Sequence, residues 1–135
     1  VQGLRGAEDE RARIARLSSR PNSLCLVAES SAQLVGFLNA MGGQVNRQRH
    51  CTTLALAVLC AHWSSGIATG LLAEALAWSK QVGVSRVELT VHTTNVRAVA
   101  LYLRAGFQVE GFRRSSLLVS GRYIDEYLMS VVHTA

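Results

Sequence analysis

Along residues 52–59 apolar side chains follow one another almost without a break, Leu54-Ala55-Leu56-Ala57-Val58-Leu59, the pattern of a strand buried in the middle of a sheet. Over 67–82 the period changes. Ile67, Leu71, Leu72, Ala75, Leu76 and Val82 recur at helical spacing, which predicts a helix, and Gly83 follows as its terminator. At 86–92 the period falls to two, with Val87, Leu89 and Val91 alternating with Arg86, Glu88 and Thr90. Thr94 or Asn95 can cap a short helix over 96–105 that Gly106 ends. Upstream, 24–28 and 34–41 read as a hairpin about the turn Ser30-Ser31-Ala32-Gln33. Gly42-Gly43 opens a polar, basic loop to His50. Downstream, 107–112 and 117–119 read as extended, and Ser120-Gly121 turns the chain into a last strand over 123–132. The charged stretch 8–19, with Ile14 and Leu17 as its main apolar positions, predicts a surface helix stopped by Arg20-Pro21-Asn22-Ser23. The order α-β-β-β-α-β-α-β-β predicts a mixed α/β (α+β) sheet with helices packed on it.

Composition narrows this picture. At 135 residues, 1–135 is expected to be a single domain with one core. With 49% apolar and 6% aromatic residues, that core is aliphatic. No apolar run approaches the roughly 20 residues that span a bilayer. The charged N-terminal segment has no apolar stretch of a signal peptide, so no membrane partner is expected. Cys25, Cys51 and Cys60 are odd in number and form no CxxC pair. They support neither a disulfide framework nor a zinc site; no metal is expected, and a reducing, cytoplasmic location fits best. The net charge of +5 suits a polyanionic cofactor, an anionic surface or nucleic acid, but the charges are scattered, with small clusters at Arg47/Arg49 and Arg113/Arg114. With three Phe, three Tyr, two Trp and no basic recognition helix, a nucleic-acid partner is not expected.

Two segments carry candidate chemistry. Trp63-Ser64-Ser65-Gly66-Ile67-Ala68-Thr69-Gly70 lies between the apolar strand and the long helix. Small residues let backbone approach a ligand, and the first helical turn offers unpaired N–H groups at the positive end of the dipole, a site for phosphate or pyrophosphate. An ordinary strand-to-helix turn would look the same. The Walker lysine and G-x-G-x-x-G are both absent, which speaks against a nucleoside triphosphatase or a Rossmann domain. The second segment runs from Asn95 to Phe107. Tyr102, two helical turns beyond Asn95, could donate a proton; the bland alternative is a plain cap and a half-buried aromatic.

Together these segments resemble the GNAT superfamily of acetyl-CoA-dependent N-acetyltransferases. There a turn of pattern R/Q-x-x-G-x-G/A opens a helix, and Trp63-Ser64-Ser65-Gly66-Ile67-Ala68 stands in its place. A later helix carries N-x-x-A-x-x-L-Y-x-x-x-G-F, matched by Asn95, Ala98, Leu101, Tyr102, Gly106 and Phe107. Gly121-Arg122-Tyr123-Ile124-Asp125-Glu126-Tyr127-Leu128-Met129 is similar to the G-x-Y-x-D-x-x-x-M final strand of the branch that holds ribosomal-protein N-terminal, amino-acid and polyamine acetyltransferases. The resemblance covers about 24–132.

The resemblance implies a mostly antiparallel central sheet with a splay between the strands at 52–59 and 86–92, and helices on both faces. Acetyl-CoA would be the cosubstrate. Backbone N–H groups of Ser64, Ser65, Gly66, Ile67, Ala68 and Thr69 would hold its pyrophosphate, and Leu56, Ala57 and Val58 would pair with its pantetheine arm, which Asn95 would also contact. Tyr102 would be the general acid to the departing thiolate. A primary amine of a small molecule, or of a peptide or protein N-terminus, would attack directly in a ternary complex.

Three departures stand out. Trp63 sits where Arg or Gln is usual. Thr53 sits where many members carry a glutamate base. The family's first strand and first helix, which shape one wall of the acceptor site, are expected to have no counterpart in 1–135. By residue type Glu29, His50, Glu88 and His92 could take the amine's proton. His50, near the start of the strand that leads to the cofactor, is the base expected here; Glu88 lies on the strand face opposite Val87 and Leu89. Loss of the glutamate leaves a CoA-binding domain without catalysis as the alternative, and a basic nucleic-acid-binding module as a further one. A homodimer is compatible with the sequence.

Overall fold

The computed structural model describes residues 3–5, 12–63 and 65–133. Strands β1 (Gly3–Arg5), β2 (Ala12–Arg20), β3 (Ser23–Ser30), β4 (Gln33–Gly42) and β5 (Cys51–Val58) precede helix α1 (Ile67–Val82). Strand β6 (Arg86–His92), helix α2 (Val96–Arg104) and strands β7 (Gln108–Val119) and β8 (Arg122–Val132) follow. One sheet of eight strands results, in the order β1-β2-β3-β4-β5-β6-β8-β7.

Tight turns explain why neighbours in sequence become neighbours in the sheet. Ser31 and Ala32 (φ 52° and 63°) turn β3 into β4, and Ser120 and Gly121 (φ 50° and 76°) turn β7 into β8. Two successive left-handed residues give a turn whose twist matches that of the flanking strands. Among the described residues the one parallel contact is β5 with β6, which α1 crosses over to make. It holds only at Cys51↔Arg86, Thr52↔Val87 and Thr53↔Glu88. Beyond Thr53 the two strands diverge, and this is the splay expected between 52–59 and 86–92.

The core lies on one face. Leu24, Leu26 and Ala28 of β3, Leu38 and Ala40 of β4, Leu54 of β5, Val87, Leu89 and Val91 of β6, and Met129 of β8 are buried there in register. Helix α1 sets Ile67, Leu71, Leu72, Ala75 and Trp78 against this face. Each such fully buried aliphatic side chain contributes about 1.5–3 kcal/mol relative to exposure. Trp78 Nε1–H donates to Ser19 Oγ (3.2 Å), and Arg16 pairs with Glu74 (3.0 Å), fixing the helix on the β2 edge. Helix α2 adds Tyr102, Ala98, Val99 and Leu101 to the same cluster.

Three expectations are corrected. Residues 12–19 are not helical but belong to β2; residues 8–11 lie outside the described residues. Ile14 is buried in register with Ala28, and Arg16 pairs with Leu26; a bulge between Arg16 and Ser18 then brings Ser19 to Leu24 on the same face. That pairing outweighs a helical spacing carried by only two apolar residues. Next, β5 is buried on one face only, with Thr53, Ala55 and Ala57 exposed on the other. Finally, the helices are not on both faces. Among the described residues both α-helices cover the core face, and the opposite face exposes Phe37, Met41, Thr53, Ala55 and Ala57. The mixed, mostly antiparallel architecture itself is as expected. No helix among the described residues is long and apolar enough to cross a membrane.

Candidate active site

Where β5 leaves β6, a cleft of about 430 Å³ opens between the β5 edge, the start of α1 and α2. Leu59 N–H donates to Val35 O (2.8 Å). Bonded positions alternate along an antiparallel ladder, so Ala57 and Ala55 spend their backbone groups on β4, while Val58, Leu56 and Leu54 turn theirs toward the splay. Trp63 Nε1–H donates to Val58 O (2.9 Å) on that side, as the alternation requires. An extended ligand arm would therefore pair with Leu56 and Val58. Ala57 lines the cleft but has its backbone turned away.

Helix α1 starts beside this edge. Its N-cap is Gly66, with φ 87° and no side chain to cap the first-turn N–H groups. A left-handed residue here favours glycine. Ala68 and Thr69 line the cleft. Ile67 is 1% exposed, its side chain committed to the core, so only its backbone can serve a ligand. Ser65 donates its hydroxyl to His62 O and holds the turn together. Ser64 lies outside the described residues. Gly70, whose smallness suggested close ligand approach, has another purpose: a Cβ there would stand 2.7 Å from Ile14 Cδ1, so it lets α1 close on β2.

On the far wall Asn95 Oδ1 accepts from Ala98 N–H (3.2 Å), capping α2 while also lining the cleft. Tyr102 lines the cleft with 8% exposure and meets Phe107 edge-on, centroids 5.8 Å apart. Burial raises the Tyr102 pKa above its ordinary value, which keeps the hydroxyl protonated and able to donate. Arg97, Arg104 and His62 also line the cleft, and sequence reasoning missed all three as site residues. Arg97 and Arg104 are seven apart on α2, so they share a face; that spacing after Asn95 was the available signal.

The candidate bases scatter. His50 is exposed at the start of β5, six residues before Leu56, or roughly 20 Å at about 3.3 Å per residue. Its carbonyl accepts from Ser85 and Arg86 N–H, tying down the α1–β6 connection. The structure does not bring His50 to the cleft. Glu29 is on β3, two strands from the splay. Glu88, on the uncovered face, is held by Arg86 Nε (3.0 Å). Arg86 also grips Glu110 through two bonds, 2.8 and 2.6 Å, and Ser130 donates to the same carboxylate. Arg86 first and Ser130 second pull the Glu110 pKa down to about 2. His92 is half-buried on the uncovered face, beyond the last β5–β6 pair and in register with Glu126. Glu126 is 9% exposed and accepts from Ser116 Oγ (2.9 Å).

A strand edge open to an amide-bearing arm, a glycine-capped helix start, basic side chains and a buried tyrosine together fit an acyl-CoA-dependent acyltransferase. A model of the Acetyltransferase (GNAT) family matches residues 3–107, and the chain belongs to that family. The L-amino acid N-acetyltransferase AaaT of Escherichia coli (strain K12) is 32% identical over 118 residues, 87% of this chain and 73% of that protein. The solved acetyltransferase of the GNAT family from Streptococcus pneumoniae superposes with a TM-score of 0.81 at 34% identity, over 84% of this chain and 69% of that one. The structure of yncA from Salmonella typhimurium, which holds its cofactor acetyl-CoA, has the same fold: TM-score 0.77 at 20% identity, covering 84% of this chain and 68% of that one. The chain is thus an acyl-CoA N-acyltransferase that uses acetyl-CoA on amine-bearing substrates.

Proposed function

We propose that this enzyme acetylates the primary amine of a small, amino-acid-like acceptor. The observation that carries the chemistry is the position of Tyr102, buried yet at the cleft, across from the β5 edge. The likeness to an L-amino acid N-acetyltransferase favours this acceptor class over a peptide N-terminus or a polyamine. The pantetheine arm of acetyl-CoA pairs with the backbone of Leu56 and with the N–H of Val58, whose carbonyl Trp63 holds, and touches Asn95. Its pyrophosphate meets the N–H groups of Ser65, Gly66, Ile67, Ala68 and Thr69. The amine enters from the uncovered face through the splay. Its lone pair forms the new C–N bond, the C–S bond breaks, and the electron pair leaves on sulfur, which takes a proton from the Tyr102 hydroxyl. The proton lost by the amine goes to His92, beside the buried Glu126, and not to His50. Direct attack on a thioester calls on no metal ion. A cytoplasmic location, where acetyl-CoA is made and used, suits this chemistry.

The test is an acceptor screen with acetyl-CoA against amino acids, peptide N-termini, polyamines and aminoglycosides. Turnover with amino acids is the expected result. Turnover confined to another class would overturn the acceptor assignment. CoA binding without turnover on any amine would make the protein a non-catalytic CoA-binding domain.

A further inference from the structure

Trp63 is 50% exposed, at the turn that leaves β5. Exposed tryptophans are uncommon, and this one is held in place. Its N–H is fastened to the Val58 carbonyl (2.9 Å), which fixes the plane of the ring. Over the ring lies the Arg97 guanidinium, its carbon 5.1 Å from the centroid. The two residues belong to opposite walls of the splay: Trp63 follows β5, and Arg97 stands in the first turn of α2. Their contact spans the cleft mouth. Arg104 and His62 line the same cleft, and among the described residues no acidic side chain does. A mouth with a fixed aromatic face and only basic charge suits a ligand whose entering end is a purine carrying several phosphates.

We propose that Trp63 and Arg97 form a clasp that recognises the nucleotide end of CoA, with Trp63 as a positioning residue for the Arg97 guanidinium. This rests on the acetyl-CoA reading of the cleft and goes beyond it. The clasp makes the phosphorylated nucleotide, rather than the pantetheine arm, the part of the cosubstrate that Arg97 selects. Trp63 also ends the β5 edge by occupying the Val58 carbonyl, which sets how far out the extended arm can pair.

The experiment measures binding of CoA and of pantetheine, which lacks the nucleotide, by calorimetry in wild type, Arg97→Gln, Trp63→Phe and Trp63→Ala. Arg97→Gln is expected to weaken CoA by about 10-fold and to leave pantetheine unchanged, the loss appearing in KM for acetyl-CoA more than in kcat. Trp63→Phe keeps a ring under the guanidinium but loses the tie to Val58, so its CoA affinity falls between wild type and Trp63→Ala. Trp63 and the buried Trp78 are the two tryptophans, so CoA should change the fluorescence of wild type and not of a folded Trp63→Phe. Equal CoA affinity in wild type and Arg97→Gln overturns the clasp, as does an equal loss of CoA and pantetheine. Failure of wild type to bind CoA would instead overturn the assignment of the cleft itself.

Discussion

Replacing Tyr102 with phenylalanine isolates one oxygen atom. The ring is 8% exposed and meets Phe107 edge-on at 5.8 Å and 62°, and both features survive the change. Folding should therefore shift by no more than the worth of one hydrogen bond, about 1 kcal/mol. CoA affinity should hold as well, since Leu56, Val58 and the start of α1 are untouched. What goes is the donor to the departing sulfur. General-acid groups contribute about 10²- to 10⁴-fold. A thiolate is already a fair leaving group, so the expected loss is at the low end, ~10- to 10²-fold in kcat, which is about 1.4–2.7 kcal/mol of barrier. Burial raises the Tyr102 pKa, so the wild-type rate should not fall through loss of this proton until pH passes the ordinary tyrosine value of about 10. The phenylalanine variant should lack that alkaline limb. Release of CoA thiol at saturating substrates reports kcat, and a single-turnover quench shows whether chemistry limits it. A variant kcat within twofold of wild type, with chemistry limiting, would refute the acid role and leave Tyr102 as a core aromatic.

Other outcomes test the remaining parts. Gly66→Asp should bind CoA at least ~10-fold more weakly, about 1.4 kcal/mol, because a carboxylate would face the phosphates; calorimetry on the folded variant giving wild-type affinity would remove the turn from the site. His92→Gln should lower kcat by about 10²-fold while His50→Ala leaves it near wild type, and the reverse pattern would return the base to His50. Glu110 has its folded pKa lowered from 4.5 to about 2, so the stability it contributes is present above pH 4.5 and is lost as pH falls from there through about 2. Acid unfolding followed by circular dichroism should be less steep over that window in Glu110→Gln, and an unchanged slope would mean that Arg86 and Ser130 do not act on this carboxyl.

Elements whose signals are local were legible in the sequence. Helix α1 repeats its apolar positions over four turns and ends at Gly83, φ 81°, and α2 carries its own cap in Asn95. Strand β2 was not legible. Ile14 and Leu17 stand at helical spacing, and only the bulge between Arg16 and Ser18 shows that 14, 16 and 19 share a strand face. The bare face of β5 was equally hidden, because Ala55 and Ala57 read as apolar whether or not anything covers them. In the site, motif spacing placed Asn95 and Tyr102 at one cleft. It could not separate Arg97 and Arg104 from solvated arginines, since residue type is the same in both settings. His50 lies away from the cleft because nearness to the start of a strand is distance from its end.

The short seam between β5 and β6 has a consequence for how the chain assembles. Strands β2 to β5 form one meander, and β6, β8 and β7 form a second group; within each, pairing is antiparallel. Three residue pairs join the groups across α1. Hairpins close over short loops and form early, whereas a parallel pairing waits for its crossover. The seam is therefore expected to form late in folding, after the hairpins on either side of it. Since the splay begins where the seam stops, a cofactor bound in the cleft would bridge both groups, and its binding would stabilise their junction.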